Sequence, residues 1–264
     1  PAVVNIDCKF GQQLAIQIKL SGGKVLTYGS TSDADLCFTN PELTVNATRF
    51  TLTYKGKSQA VNLKLLGRHN IYNSLTALGL ALNAGIEMSI AIDAIESENP
   101  VKGRLELVKL QKSIASFYVD YAHTPDAIEN VLRTLREITT GRLFIVFGAG
   151  GDRDRRKRPL MGKAAFNNAD YLIITSDNPR SELPMEIIKD ILEGIPGTAI
   201  GENPQSDAPE VHIVEDRKQA IKHAFIAADQ PGDVVLIAGK GHEDYQIFAD
   251  HTEHFDDAEV LRQL

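Results

Sequence analysis

Apolar positions along the chain change their rhythm near residue 100. Ala2–Ile6, Leu14–Ile18 and Val25–Tyr28 are short apolar runs broken by Gly11 and Ser21-Gly22-Gly23, and they predict three strands. Thr44–Tyr54 and Ser58–Leu66 alternate apolar and polar residues around Lys55-Gly56-Lys57, which predicts a hairpin with one wet face. From Asn70 the period becomes helical: Ile71, Leu75, Leu78 and Leu82 form one stripe, with Gly85 where a C-terminal cap belongs. A second helix is predicted over Ser89–Glu98, and Asn99-Pro100 closes this half.

After a linker-like Val101-Lys102-Gly103-Arg104-Leu105-Glu106, strands alternate with helices, the signature of βαβ units and a mainly parallel sheet. The predicted strands are Phe117–Asp120, Leu143–Phe147, Tyr171–Thr175, Val211–Val214 and Asp233–Ala238. The predicted helices include Asp126–Ile138, capped by Thr124 and opened by Pro125, then Pro184–Leu192 and Arg217–Ala228. The fold class is α/β: a Rossmann-like, mainly parallel sheet in the second half, preceded by a mixed α/β unit.

Composition narrows the classes. With 264 residues, 43% of them hydrophobic, the chain can bury a sizeable core and form one or two domains. A net charge of −7 argues against a general nucleic-acid binder. No apolar run approaches the roughly 20 residues that span a bilayer, and no signal-peptide pattern opens the chain. A soluble protein without membrane insertion is therefore expected. Cys8 and Cys37 lack metal-ligand spacing. Opening without Met and already in a strand-like run, the sequence reads as a piece of a longer protein.

Candidate chemistry sits in the loops that leave the carboxyl ends of predicted parallel strands, where open α/β sheets hold their ligands. Three such loops carry Gly148–Asp154, Thr175–Ser181 and Gly239–Asp244. If their strands share a sheet, Arg153, the Asp177-Asn178-Pro179-Arg180 loop and Gly239 to Glu243 converge on one crevice. Guanidinium groups suit carboxylates because two parallel N–H bonds match two oxygens. Glu243 and Asp177 suit an ammonium group. Mixed charge of this kind fits a zwitterionic amino acid better than a polyphosphate. A plain surface turn is the competing reading of Asp-Asn-Pro, and helix capping is the competing reading of Asn70. The basic run Arg153–Arg158 lacks interleaved aromatics and reads as solvated charge, and no P-loop pattern occurs in the chain. His123 and His242 are loop histidines that suit hydrogen bonding or a proton-transfer role.

The ordered series Gly67-Arg68-His69-Asn70 with Asn73, Gly103–Glu106, Asp120–Asp126, Gly150–Asp154 with Lys157–Gly162, Asp177–Arg180 and Ala238–Gln246 resembles the Mur ligases, in their diaminopimelate-adding branch. That resemblance covers essentially the whole chain and implies a bacterial, cytoplasmic setting and a monomer. It implies that residues 1–101 are the later part of an ATP-binding central domain and residues 102–264 a C-terminal, amino-acid-binding domain. It implies that Asn178 and Arg180 hold the distal carboxylate of meso-diaminopimelate, with Asp177 and Pro179 in the same selective loop. Glu243 and the Gly239 backbone would hold the distal ammonium, and Arg153 the other carboxylate. Asn70 and Asn73 resemble adenine-side residues, Arg104 and Asp120 ribose contacts, and His123 a neighbour of the nucleotide.

The implied reaction is that of an ATP-dependent acid–amino-acid ligase of peptidoglycan precursor synthesis. ATP phosphorylates the D-glutamyl carboxyl of UDP-N-acetylmuramoyl-L-alanyl-D-glutamate, the diaminopimelate amine attacks the acyl phosphate, and Mg²⁺ screens the phosphates. The catalytic and metal-binding residues of such enzymes would lie upstream of Pro1, so the fragment alone is expected to be inactive. Asn5-Ile6-Asp7-Cys8-Lys9 departs from the family's Asn-Ala-Asp-Asp-Glu-like stretch, which puts a nucleotide role for position 8 in question. An L-lysine-adding homologue and a non-catalytic amino-acid-binding module remain as alternatives.

Overall fold

A computed structural model describes residues 1–197 and 208–264. The chain divides into two compact units, Pro1–Pro100 and Val101–Leu264.

The first unit runs β1 (Ala2–Asn5), α1 (Lys9–Leu20), β2 (Val25–Gly29), β3 (Leu36–Thr44), β4 (Ala47–Tyr54), β5 (Lys57–Leu63), α2 (Arg68–Asn83) and α3 (Met88–Ser97). Its sheet keeps sequence order, with β1, β2 and β3 parallel and β3, β4 and β5 antiparallel. Leu36, Phe38, Phe50, Leu52, Val61 and Leu63 face Ile71, Leu75 and Leu78 of α2 and Ala91 and Ile92 of α3. The β4–β5 hairpin turns on Lys55 (φ 49°) and Gly56 (φ 75°), the two left-handed residues that match the twist of flanking strands.

One expectation fails here and one strand was not foreseen. Leu14–Ile18 is helix, not strand, because the alternation of Leu14, Ile16 and Ile18 is incidental. The buried face of α1 is instead made by small Gly11 and Ala15, four residues apart, while Ile16 is 57% exposed. Cys8 caps this helix, its Sγ accepting from the Gly11 N–H at 3.4 Å, so position 8 serves a local structural task. Asp7 beside it accepts from the Ser30 N–H (2.8 Å) and the Tyr72 hydroxyl (2.8 Å). Strand β3 was not foreseen, since Pro41 and a left-handed Asn40 break its apolar run at a bulge between Thr39 and Glu42.

The second unit runs β6 (Glu106–Val108), β7 (Ser116–Asp120), α4 (Pro125–Arg136), β8 (Leu143–Phe147), α5 (Lys157–Asn168), β9 (Tyr171–Ile174), α6 (Pro184–Leu192), β10 (Glu210–Ile213), α7 (Arg217–Ala227), β11 (Val234–Ala238), β12 (Tyr245–Ile247), β13 (Thr252–His254) and α8 (Asp257–Arg262). Its main sheet has the order β10-β9-β8-β11-β7-β6, parallel except for β6. Every residue of β8, β9 and β11 is buried, as a sheet covered on both faces requires. Phe117, Val119, Phe144, Val146, Val235 and Ile237 pack with Ala220, Ile221 and Ala224 of α7 and Ala258 and Leu261 of α8. Helices α4, α5 and α6 pack in series, and α4 turns Ile128, Leu132 and Leu135 inward. Thr124 caps α4 through the Ala127 N–H (3.3 Å), with Pro125 in its first turn.

Candidate functional site

Strands β9, β8 and β11 are neighbours, so the loops leaving their carboxyl ends stand side by side. The backbones of the first two loops are pressed together. The Gly151 N–H donates to the Asn178 carbonyl (2.8 Å). A Cβ on Gly151 would lie 1.8 Å from the Pro179 oxygen, so only glycine permits this approach. Arg158, 1% exposed, reinforces the joint by donating to Glu182 (2.7 and 2.8 Å), Asp190 (2.8 Å) and the Gly150 carbonyl (3.2 Å). Through the Arg158 hydrogen bond, the Glu182 carboxyl is held down at a pKa of about 2.

Within the β9 loop, Asp177 and Asn178 are buried, at 6% and 5% exposure. Asn178 is engaged at both ends of its amide. Its Oδ1 accepts from Lys240 Nζ (3.0 Å) and the Ile247 N–H (3.1 Å), while its Nδ2 donates to Glu243 Oε2 (3.0 Å). Asp177 Oδ1 makes no hydrogen bond among the described residues and lies 3.5 Å from Lys240 Nζ. Asp177 Oδ2 stands 3.1 Å from where a Gly239 Cβ would be, and Gly239 has φ 117°. The Asp177 carbonyl accepts from buried Gln246 (2.6 Å).

Arg180 occupies the left-handed region at φ 53°, uncommon for a residue with a Cβ. Its N–H donates to the Ile247 carbonyl (3.0 Å), and its Nη1 to the Gly151 (2.8 Å) and Asn178 (3.4 Å) carbonyls. Arg153 is exposed. A Cβ on Gly150 would lie 2.9 Å from Arg180 Nη1 and 3.6 Å from Arg153 Cγ, so both arginine side chains border that residue. Arg153, Arg180, Asn178 and Glu243 are thus gathered at one end of the sheet.

Three side chains of this cluster had no role assigned from the sequence: Lys240, Gln246 and Arg158. Lysine, glutamine and arginine in polar loops read as solvent-facing, yet Lys240 is 0%, Gln246 3% and Arg158 1% exposed. The available signal was that Lys240 follows an unbroken apolar strand by two residues.

The expected nucleotide-side residues fall in two places. In the first unit, Asn70 and Asn73 lie in the first turns of α2, with Asn70 Nδ2 on the Leu66 carbonyl (2.8 Å) and Asn73 Nδ2 on Asn70 Oδ1 (3.0 Å). The cap position is Gly67, so Asn70 is not the cap. In the second unit, buried Asp120 accepts from the Leu105 (2.7 Å) and Ala122 (2.8 Å) N–H groups and fixes the turn that carries Arg104. The Arg104 guanidinium lies over the Tyr121 ring (4.8 Å), which also touches His123 (4.6 Å) and His242 (5.3 Å). Among the described residues no group of three or more His, Cys, Asp or Glu is placed to hold a metal ion. Nor is any described helix long and apolar enough to cross a membrane.

Comparison with known proteins places the chain in a family. Residues 103–241 match the Mur ligase, glutamate ligase domain, and residues 1–81 the Mur ligase middle domain. The whole chain is 43% identical to UDP-N-acetylmuramoyl-L-alanyl-D-glutamate–2,6-diaminopimelate ligase 1 of Clostridium acetobutylicum, covering 52% of that protein. A solved structure of a UDP-N-acetylmuramoyl-L-alanyl-D-glutamate–2,6-diaminopimelate ligase superposes with a TM-score of 0.73 at 36% identity, over 99% of this chain and 52% of that one. The folylpolyglutamate synthase of Mycobacterium tuberculosis, solved with ADP and AMPPCP, shares the fold at 19% identity and a TM-score of 0.62, over 90% of this chain and 52% of that one. The chain spans about half the length of the curated relatives it matches. With the glutamate ligase domain matched across more than half of its residues, this chain belongs to the Mur ligase family.

Proposed function

We propose that this chain is the amino-acid-selecting half of an ATP-dependent ligase that adds meso-diaminopimelate to UDP-N-acetylmuramoyl-L-alanyl-D-glutamate. The observation that carries the reading is the grouping of Arg180, Asn178 and Glu243. It offers a guanidinium and an amide N–H to a carboxylate, and a carboxylate to an ammonium, within one hydrogen-bonded cluster. L-Lysine lacks the distal carboxylate and would leave Arg180 without a counter-charge, a mismatch that such sites reject strongly.

In this reading, residues 1–101 are the later part of the ATP-binding domain and contribute Asn70 and Asn73 on the adenine side. Residues 102–264 bind the diamino acid and contribute Arg104, Asp120 and His123 beside the nucleotide. ATP transfers its terminal phosphoryl group to the D-glutamyl carboxylate. The amine attacks the acyl carbon, its C–N bond forms as the C–O bond to phosphate breaks, and the ammonium proton is released with inorganic phosphate. This chain's part is to hold the diamino acid with its reacting amine aimed, and positioning of this kind contributes several kcal/mol, on the order of 10² to 10⁴ in rate. Mg²⁺ would screen the phosphate charge in this reading, and among the described residues no group of three or more His, Cys, Asp or Glu is placed to hold it. A monomeric, cytoplasmic bacterial enzyme is the corresponding setting.

The test is amino-acid competition in a ligation assay with the intact natural enzyme that contains these residues. Use of meso-diaminopimelate over L-lysine by at least about 10²-fold is expected, reduced by Arg180→Ala chiefly through a higher KM for diaminopimelate. Equal use of the two amino acids by the wild-type enzyme would overturn the reading.

A further inference from the structure

The Asn178 side chain can present either its N–H₂ or its oxygen to a ligand, and the two choices have opposite meaning for a carboxylate. In the structure that choice is made from below. Lys240 Nζ and the Ile247 N–H both donate to Oδ1, occupying its two lone pairs. Nδ2 is thereby turned toward Glu243, with one N–H on Oε2 and a second available for another acceptor.

Lys240 is itself held firmly. It is fully buried, donates to the Tyr245 carbonyl (2.5 Å), stands 3.5 Å from Asp177 Oδ1, and lies 5.9 Å from the Tyr245 and Phe255 ring centres. Burial lowers its pKa while the Asp177 charge raises it. In either protonation state Nζ keeps hydrogens to donate. Placing an ammonium group inside a protein is costly unless its partners satisfy it, and the partners here are Asn178 Oδ1, the Tyr245 carbonyl and the nearby Asp177 carboxylate. An apolar side chain of similar length would fill the same space at lower desolvation cost, so packing alone does not account for a lysine here.

We infer that Lys240 is the positioning residue that sets the donor polarity of the amino-acid site, fixing the Asn178 amide so that it offers N–H to a ligand carboxylate and backs Glu243 for a ligand ammonium. This rests on the function proposed above, whose substrate supplies both groups. Without Lys240, the amide loses one of the two donors that define its orientation. The flipped amide would point an oxygen at the carboxylate.

The experiment uses the intact natural enzyme with Lys240→Met and Lys240→Gln. Met removes the donor at similar length, and Gln restores one N–H. For K240M the KM for meso-diaminopimelate should rise 10- to 100-fold while the KM for ATP stays within twofold, and K240Q should recover at least threefold of that loss. An unchanged diaminopimelate KM in folded K240M overturns the inference. So does an equal rise in both KM values with a lowered melting temperature, which marks a merely structural lysine. Should neither variant fold, a crystal structure of the wild-type enzyme with meso-diaminopimelate decides. Lys240 Nζ should remain on Asn178 Oδ1 with Nδ2 on the ligand carboxylate, and separation of Lys240 from Asn178 refutes the proposal. Wild-type enzyme that ignores meso-diaminopimelate defeats the functional reading instead, a result separable from any effect of Lys240.

Discussion

At the scale of single residues, the loops are held by charges that solvent barely reaches. Arg158 binds Glu182 and Asp190 with side-chain exposures of 1%, 21% and 19%, so the pairs are screened far less than surface bridges. The Glu182 carboxyl falls from an ordinary 4.5 to about 2 in the folded protein, chiefly through its hydrogen bond to Arg158. A depressed acid stabilises the fold above its unfolded pKa and loses that contribution as pH drops toward the folded one. Glu182→Gln should therefore lower unfolding free energy by about 2 kcal/mol at neutral pH. The gap should narrow as pH falls from 4.5 toward 2, where wild-type Glu182 begins to take up its own proton. Urea denaturation of both proteins across this range checks the sign and the window.

At the scale of elements, the loops after β8 and β9 form a tight joint. Gly151→Ala would set a Cβ at 1.8 Å from the Pro179 oxygen, and nothing flexible stands there to yield. The loops must part, at a cost of about 1–3 kcal/mol, carrying Arg153 away from Arg180. Calorimetry on the intact enzyme should show meso-diaminopimelate binding weakened more than 10-fold, with the unfolding transition still cooperative.

Elements also explain what could be read from the sequence. Buried parallel strands were legible because Leu143–Phe147 and Val234–Ala238 are unbroken apolar runs bounded by polar loops. Thr124-Pro125 announced the start of α4 for the same local reasons that make it a cap. The charged groups of the site stood out because Asp177, Arg180 and Glu243 lie in loops at strand ends. What stayed hidden depends on tertiary context. The helix α1 buries glycine and alanine and exposes isoleucine, so its period misled. The short strands β6, β12 and β13 have three residues each, too few to show any period. Lys240 and Arg158 are charges whose burial only the folded chain reveals.

At the scale of the whole molecule, the two units part at Pro100, and the chain corresponds to about half of each curated relative. On the proposed function, the 264-residue chain should show no ATP turnover with UDP-N-acetylmuramoyl-L-alanyl-D-glutamate and meso-diaminopimelate, whereas the intact natural enzyme should turn over; coupled phosphate release measures both. Native-like rates from the shorter chain would contradict the division of labour proposed here.

The strand order of the second unit also governs how that unit is made. Although β11 is the last of the parallel strands to be synthesised, it lies between β8 and β7. Until residues 234–238 have left the ribosome, β7 and β8 each lack a neighbour and present open backbone edges to any passing chain. The central sheet is thus completed after synthesis of its other strands rather than alongside it. A nascent chain stalled before Val234 should depend on chaperones, and proteolysis of ribosome-bound chains of increasing length would show protection arriving late and in one step.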